Sequence, residues 1–131
     1  MEPDANSAIV RRGYDALNRA DLATLVGLFD ENASWHTPGR SPLAGDAEGR
    51  DAVFAQFGHY VDETGGTFTA DLKRVLTDED GRVIGIHRTV AERGDKRLDV
   101  YCCIVFELED GRIVDGHEHF YDLHAWDEFW S

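Results

Sequence analysis

The chain has 131 residues, of which 42% are hydrophobic and 11% aromatic, and this fits a single globular domain over residues 1–131. Its formal net charge is −13, because 26 acidic residues outnumber 13 lysines and arginines. A surface this acidic repels phosphate backbones and anionic lipid headgroups. We therefore expect neither a nucleic-acid partner nor a membrane partner.

The two cysteines, Cys102 and Cys103, are neighbours in the chain. Neighbouring residues of a strand point to opposite faces, so these two thiols cannot pair with each other without severe strain. Free thiols suit a reducing compartment. The N-terminal sequence MEPDANSAIVRRG contains no apolar run long enough for a signal peptide or a membrane span. These features predict a cytoplasmic protein.

The first half of the chain reads as three helices. Helical spacing runs through residues 7–18, with Ile9, Val10, Tyr14 and Leu17 as the apolar positions. Asp21 is placed to cap a second helix, whose apolar residues are Leu22, Leu25, Val26, Leu28 and Phe29 and which Asp30-Glu31-Asn32 ends. A third helix over residues 50–61 has Val53, Phe54, Phe57 and Val61 on one face.

Strands account for most of the remainder. Residues 33–37 predict a short strand, and the segment PGRSPLAGDAEG that follows predicts a long loop. After Gly65-Gly66 the side chains alternate at Phe68, Ala70 and Leu72. Turn signals at Asp80-Gly81, Gly94-Asp95 and Asp110-Gly111 then separate runs near 82–93, 96–109 and 112–122. This pattern predicts an antiparallel meander, and LHAWDEFW predicts a short closing helix.

Four segments, taken in chain order, carry a resemblance to a known family. They are YDALNRADLATLVGLFDENASWHTPG, SPLAGDAEGRDAVFAQF, GIHRTVAERG and DGRIVDGHEHFYD. The chain resembles the SnoaL-like group of the nuclear-transport-factor-two-like superfamily, which is related to ketosteroid isomerase. The resemblance implies an α+β fold: a cone-shaped roll in which three N-terminal helices pack against a strongly curved antiparallel sheet, with a short C-terminal helix.

The resemblance also implies which side chains face an enclosed pocket. In the last strand these are Val114, Gly116, Glu118 and Phe120, while Asp115, His117, His119 and Tyr121 face away. The other side chains expected to bind a small apolar or amphipathic ligand are Tyr14, Trp35, Thr37, Phe54, Phe57, Thr89, Val100, Cys102, Ile104 and Phe106. Leu98 is also expected to point inward. A mostly apolar wall with few polar groups is typical of a small-molecule site.

Glu118 is the main catalytic candidate, because a buried carboxyl without a cationic partner has a raised pKa that suits proton transfer near neutral pH. By alignment, the three catalytic positions of steroid isomerases fall at Thr37, Ile104 and Gly13, with Tyr14 one residue late. Those roles are unfilled, which argues against that mechanism. Cyclases of the SnoaL type carry an acidic base on the last strand, and Glu118 matches that position.

Histidines supply the other candidates. His87 and His36 are candidates to hydrogen-bond Glu118 or the ligand. His117 and His119 form an H-x-H that could share a metal with His124 or Asp122, but an exposed or interface face is the preferred explanation of the pair, and we expect neither a metal nor a cofactor. The aromatic face of the closing helix, formed by Leu123, Trp126, Phe129 and Trp130, either docks on the domain or covers the pocket mouth.

Three functions stay open at this stage. One is a cofactor-independent enzyme of the cyclase, isomerase or dehydratase type that performs acid/base chemistry on a polyketide-like or other carbonyl compound. Another is a ligand-binding protein of the same fold without chemistry. The third is a homodimeric interaction domain that uses the outer sheet face, with Tyr101, His117, His119 and Tyr121 in the contact.

Overall fold

The computed structural model describes residues 3–131, so Met1 and Glu2 of the N-terminal segment discussed above lie outside the described residues. The elements are α1 (Pro3–Asn18), α2 (Leu22–Leu28), β1 (Phe29–Thr37), β2 (Gly45–Glu48), α3 (Arg50–Glu63), β3 (Thr69–Thr77), β4 (Val83–Arg93), β5 (Lys96–Glu109), β6 (Arg112–Phe120) and α4 (Leu123–Trp130). This is the predicted α+β order. Within residues 3–131, no helix is both long and apolar enough to cross a membrane.

The α2 helix begins where the sequence predicts and ends one residue early. The Asp21 side chain accepts hydrogen bonds from the backbone N–H of Thr24 at 3.2 Å and from its hydroxyl at 2.7 Å. The predicted end at Asp30-Glu31-Asn32 is wrong, because Phe29 has extended backbone angles and starts β1. Pairing of Phe29 with Ile113 draws this residue into the sheet, where its ring is buried.

The sheet has six strands in the order β2-β1-β6-β5-β4-β3, and it is curved but not closed. The predicted meander from β3 to β6 is antiparallel throughout. The expectation of a purely antiparallel sheet needs one correction, because β1 runs parallel to β6. The predicted loop also contains β2, whose sequence GDAE lacks the alternation of apolar residues that indicates a strand.

The helices cover the concave side of the sheet. Helix α1 packs on β3 and β4, α3 packs on β1 and β2, and α2 contacts β1 and β6. Alternate residues of β4 and β5 are buried, as the pattern predicts. Cys102 is fully buried, Cys103 is half-buried, and both thiols are free.

Helix α4 docks on the domain, and its aromatic side chains are in the core. Trp126, Phe129 and Trp130 are at most 2% exposed, and Trp126 stacks on Phe120 with ring centroids 3.9 Å apart. The β4–β5 hairpin holds the C-terminal end of the helix, because Arg93 donates to the Phe129 carbonyl at 3.1 Å and Lys96 donates to the Glu128 carbonyl at 2.7 Å. Cations at this end of a helix oppose the negative pole of its dipole.

A bulge corrects the predicted register at the start of β6. The adjacent residues Glu107 and Leu108 of β5 pair with Asp115 and Ile113 of β6. Val114 is therefore the extra residue, and it lies in β6. Beyond such an extra residue, each side chain of the bulged strand points to the opposite face of the sheet from the one that simple alternation predicts. Val114 is therefore not on the pocket side, and Ile113 takes its place with 1% exposure. From Gly116 to Glu118 the predicted register holds.

Candidate functional site

A mostly apolar cavity lies between helices α1 and α3 and the concave side of the sheet. Its lining consists of Val10, Gly13, Tyr14, Leu17, Leu25, Phe29, Trp35, Phe57, Tyr60, Phe68, Ala70, His87, Ile104, Phe106, Ile113 and Glu118. The space open to the centres of water molecules is about 50 Å³. By the same measure one water needs roughly 10–15 Å³, so the cavity is small.

Glu118 is the one carboxylate in this wall, and it is 6% exposed. Strand β6 directs it inward from a position beside Ile104 of β5. Its Oε1 accepts hydrogen bonds from the Thr37 hydroxyl at 2.8 Å and the Tyr60 hydroxyl at 2.9 Å. Within residues 3–131 it has no cationic partner, and its Oε2 accepts no hydrogen bond. Oε2 is therefore the oxygen available to a ligand.

Gln56 orients the two hydroxyl groups that bind Glu118. Its Nε2 donates to the Leu43 carbonyl at 2.6 Å and lies 3.3 Å from both the Thr37 Oγ1 and the Tyr60 hydroxyl. An N–H donor on the hydroxyl oxygens leaves their own protons to point toward the carboxylate. The network therefore favours the arrangement in which Glu118 is the acceptor.

Burial decides the proton affinity of this group. Loss of hydration raises the pKa of Glu118 from its ordinary value of 4.5 to about 7, although the hydrogen bonds from Thr37 and Tyr60 oppose the rise. Burial likewise raises the pKa of the Tyr60 phenol well above 10, so this hydroxyl remains a donor. At neutral pH both the acid and the carboxylate form of Glu118 are populated.

A second polar group in the wall is the pair of Tyr14 and His87. The Tyr14 hydroxyl lies 2.7 Å from His87 Nδ1, and His87 Nε2 lies 2.9 Å from the Thr89 hydroxyl. Burial lowers the pKa of His87 to about 4, so the imidazole is neutral at pH 7. Burial raises the pKa of the Tyr14 phenol well above its usual 10, which keeps this proton in place.

Two strand glycines make room for aromatic side chains of the site. A Cβ on Gly116 would overlap ring atoms Cε3 and Cζ3 of Trp35, and one on Gly85 would lie 2.9 Å from the Tyr14 hydroxyl oxygen. The indole N–H of Trp35 is buried and has no hydrogen-bond partner among the described residues. Hydrogen bonding of this N–H to Glu118 nevertheless contributes to lowering the pKa of the carboxyl. The indole N–H therefore lies beside the carboxyl without a fully formed hydrogen bond to it.

The structure brings together only part of the predicted site. Glu118, His87, Tyr14, Trp35, Phe57, Ile104 and Phe106 line the cavity. Seven predicted ligand contacts are buried or half-buried but lie outside the lining: Thr37, Phe54, Thr89, Val100, Cys102, Gly116 and Phe120. The Thr37 hydroxyl donates to Glu118, and the Thr89 hydroxyl lies within hydrogen-bond distance of His87. The Phe120 ring stacks on Trp126. The catalytic and binding roles of all these residues stay predictions.

Tyr60 is the functional side chain that sequence reasoning missed. It continues the buried face of α3 after Val53 and Phe57, so its direction toward the core could have been read from the helical spacing. Tyr14, which is one residue late relative to the steroid-isomerase tyrosine position, was predicted to face the pocket, and helix α1 brings its hydroxyl into the wall. Phe68 and the apolar residues of α1 and α2 complete the lining.

The prediction that His36 reaches Glu118 is wrong. Its neighbours Trp35 and Thr37 point inward, so strand alternation directs His36 to the outer face. There its Nδ1 lies 2.7 Å from Asp46 Oδ1 and its Nε2 lies 2.7 Å from Asp115 Oδ1. Burial opposes the charged form, but the bonds to the two carboxylates raise the pKa of His36 above its ordinary 6.5. His117, which was predicted to face away from the pocket, is exposed on the same outer face and stacks on His36 with ring centroids 4.0 Å apart.

Known proteins match this chain over most or all of its length. An uncharacterised protein of Mycobacterium tuberculosis is 37% identical over 131 residues, covering 100% of both chains. The structure of Bal32a, from a soil-derived mobile gene cassette, matches with a TM-score of 0.98 and 67% identity over 100% of both chains. TerC, co-crystallised with polyporic acid, shares the fold at a TM-score of 0.82 and 16% identity, covering 95% of this chain and 97% of its own.

The family comparison agrees with these matches. The family model for the SnoaL-like domain matches residues 10–116, which include every residue that lines the cavity except Glu118. The resemblance seen in the sequence segments is thereby confirmed, and the chain belongs to the SnoaL-like domain family.

Proposed function

We propose that this protein binds a small, mostly apolar carbonyl compound in the cavity and that Glu118 moves a proton at the carbon next to the carbonyl. The observation that carries the proposal is the state of Glu118. It is a buried carboxyl with a pKa of about 7, one oxygen held by two hydroxyl donors and the other free. A general base works best when its pKa is near the working pH.

The chemistry needs no oxidant and no cofactor. The carboxylate Oε2 takes the proton, the C–H electron pair forms a C=C bond, and the carbonyl electrons move onto oxygen to give an enolate. In a β,γ-unsaturated carbonyl compound the protonated Glu118 then returns the proton to the γ carbon of the dienolate, and the double bond moves to the α,β position, which is an isomerisation. Alternatively, the enolate carbon attacks a second carbonyl in the same molecule, and the proton goes to the new alkoxide, which is a cyclisation.

An enolate oxygen needs a hydrogen-bond donor, and the wall offers two. The Trp35 indole N–H is buried and makes no fully formed hydrogen bond within residues 3–131, so a ligand oxygen would satisfy it. The Tyr14 hydroxyl is the second donor. If His87 carries its proton on Nδ1, that N–H donates to the Tyr14 oxygen and frees the phenolic proton for the ligand.

The size of the cavity narrows the substrate class. A space of about 50 Å³ for water centres accepts a compound of a few heavy atoms as it stands. A polycyclic, polyketide-like molecule would require aromatic side chains such as Phe57 and Phe68 to move. TerC, which shares the fold, was crystallised with polyporic acid, which supports binding of a small molecule by such a scaffold. Small ketones are therefore the first probes to use.

The test measures proton abstraction directly and does not require the natural substrate. The protein is mixed with cyclopentanone or cyclohexanone in D₂O, and incorporation of deuterium at the α carbon is followed by NMR. We expect exchange above the buffer rate for the wild type and a loss of about 100-fold or more in Glu118→Gln, in line with the usual contribution of a general base. Glu107→Gln, at an exposed position of β5, is the matched control and keeps the wild-type rate.

The other outcomes decide between the two functions of the pocket. Equal exchange in Glu118→Gln and wild type would contradict the role of Glu118. Saturable changes in the NMR signals of the Trp35 indole, with no exchange above buffer for any ketone, would favour a binding protein without chemistry. That second reading is supported by the small number of polar groups in the wall.

The homodimer remains a prediction of its own. Tyr101 and Tyr121 lie on the outer side with 39% and 66% exposure, and their ring centroids are 5.8 Å apart. An exposed aromatic pair of this kind fits a self-complementary contact. Light scattering after size exclusion should give twice the 14.7 kDa chain mass, and a Tyr121→Ser variant should shift the equilibrium to the monomer. A monomer at high micromolar concentration would contradict it.

A further inference from the structure

We propose that the outer face of the β1–β6 pair holds a divalent transition-metal ion on His36, Asp115 and His117. This site lies on the opposite side of the sheet from the cavity, and it does not depend on the function proposed for Glu118. It also differs from the H-x-H pairing of His117 with His119, because the second imidazole comes from another strand.

Strand pairing brings the three side chains together. His36 of β1 lies directly beside His117 of β6, and Asp115 precedes His117 by two residues on the same face. His36 Nε2 is 2.7 Å from Asp115 Oδ1, and His117 Nε2 is 3.2 Å from Asp115 Oδ2. One ligand atom from each residue lies within 4.8 Å of the other two.

These separations are close to those of a bound ion. Zinc bonds to imidazole nitrogen and carboxylate oxygen are about 2.0–2.2 Å long, so ligand atoms of a tetrahedral site stand about 3.3 Å apart. The two separations, 2.7 Å and 3.2 Å, are shorter than that distance by about 0.6 Å and about 0.1 Å. The His36 and His117 rings are stacked with centroids 4.0 Å apart, so ion binding requires the two partly exposed rings to turn until both Nε2 lone pairs point at the ion.

The supporting shell that a metal site requires is already in place, and it is an independent reason for the assignment. Asp46 Oδ1 of β2 lies 2.7 Å from His36 Nδ1, and in the tautomer that carries the proton on Nδ1 it accepts this N–H and leaves the Nε2 lone pair on the side of Asp115. Metal-binding histidines usually donate their other N–H to a carboxylate in this way. The Ser34 hydroxyl donates to Asp115 Oδ1 at 2.5 Å and holds the carboxylate, as ligand carboxylates are commonly held.

The ligand set selects the class of ion. Two imidazole nitrogens and one carboxylate oxygen suit Zn²⁺, Co²⁺ or Ni²⁺, whereas Mg²⁺ and Ca²⁺ prefer sites made of oxygen. The side chains of His36, Asp115 and His117 are 25%, 13% and 50% exposed, so water can reach the open side and complete the coordination. The net charge of −13 adds a general attraction for cations.

The experiment titrates chelator-treated protein with Co²⁺ and follows the visible absorption bands, and then with Zn²⁺ by calorimetry. We expect one equivalent to bind and His36→Gln and His117→Gln each to weaken binding by at least tenfold. Asp46→Asn, which removes only the support of His36, should weaken it by roughly 10-fold. His59→Gln, on the exposed side of α3, and His119→Gln are matched controls that keep the affinity within about twofold.

Three results would overturn the assignment. The first is the absence of saturable binding up to 1 mM Co²⁺. The second is binding that His36→Gln leaves unchanged, and the third is binding that His119→Gln abolishes. Melting curves of every variant without metal exclude loss of the fold as the cause of weaker binding. A rise of the wild-type melting temperature with Zn²⁺, absent in His117→Gln, would support the site by an independent readout.

Discussion

The two faces of the β1–β6 strand pair carry titratable groups in opposite environments. On the inner face, Trp35 packs over Gly116, and Glu118 is buried with hydroxyl partners and no ion pair. On the outer face, one residue away in each strand, His36 and His117 share Asp115 at a partly exposed position. A single step along the backbone thus separates a desolvated acid from a cluster of opposite charges.

This contrast shows how partners and water set the chemistry of neighbouring residues. The inner carboxyl has a pKa near 7 because burial penalises its charge and its donors compensate only in part. On the outer face, the bonds to Asp46 and Asp115 outweigh the partial burial of His36 and raise its pKa. The inner face is thus suited to moving a proton and the outer face to holding a cation.

Glu118 should make the free energy of unfolding fall as pH rises. Its pKa is about 7 in the folded protein against an ordinary 4.5, so its stabilising contribution is complete below pH 4.5 and is lost as pH rises through 7. The shift corresponds to about 3 kcal/mol. Relative to wild type, Glu118→Gln should therefore gain stability by that order between pH 4.5 and pH 8 in urea unfolding. A constant difference across this range would mean that Glu118 is not desolvated.

His87 should show the opposite dependence on pH from within the same cavity. Burial lowers its pKa from 6.5 to about 4, so its contribution to stability is present above pH 6.5 and is lost as pH falls through 4. Relative to wild type, His87→Gln should lose stability as pH rises from 4 to 6.5, by a similar amount of about 3 kcal/mol. The same unfolding series measures it. A pH-independent difference would show that the imidazole is hydrated.

The sequence predicted the inner face better than the outer one, for a physical reason. Strict alternation in β5 and β6 is enough to place Ile104 and Glu118 on the buried side, because one slip would expose every apolar neighbour. The same rule, applied to Trp35 and Thr37, already assigns His36 to the outside. The prediction that His36 contacts Glu118 was wrong because it rested on the proton-transfer chemistry of imidazole and not on the position of His36 between two inward-facing residues.

Other features depend on contacts that no local pattern encodes. Tyr60 lies on a predictable buried face of α3, but its bond to Glu118 joins residues 58 positions apart and depends on how the helix docks. No alternation of apolar residues marks the bulge at Val114 or the short edge strand β2. The meeting of His36 with Asp115 required the parallel β1–β6 pairing, which the meander alone does not imply.

Gly116 should be the most sensitive position of the inner face to added volume. An alanine Cβ there would overlap the Trp35 ring, and the ring is held between Phe57 and Phe106. We expect Gly116→Ala to lower the free energy of unfolding by about 2 kcal/mol, the usual cost of overpacking. Gly58→Ala, in the middle of α3 with open space around it, is the control and should gain up to about 1 kcal/mol. Equal effects would contradict the tight fit at Trp35.

The smallest effect should come from the outer face, at the ion pair between Arg88 of β4 and Asp99 of β5. The guanidinium donates to the carboxylate at 2.8 Å and 2.6 Å, yet both side chains are 43% exposed. Water screens such a pair, and each partner is well hydrated when alone. Arg88→Gln should therefore melt within about 2 °C of wild type at both low and high salt. A larger fall in the melting temperature at low salt, which disappears in 1 M NaCl, would contradict this prediction. It would show that charge pairs stabilise the outer face as strongly as burial stabilises the inner one.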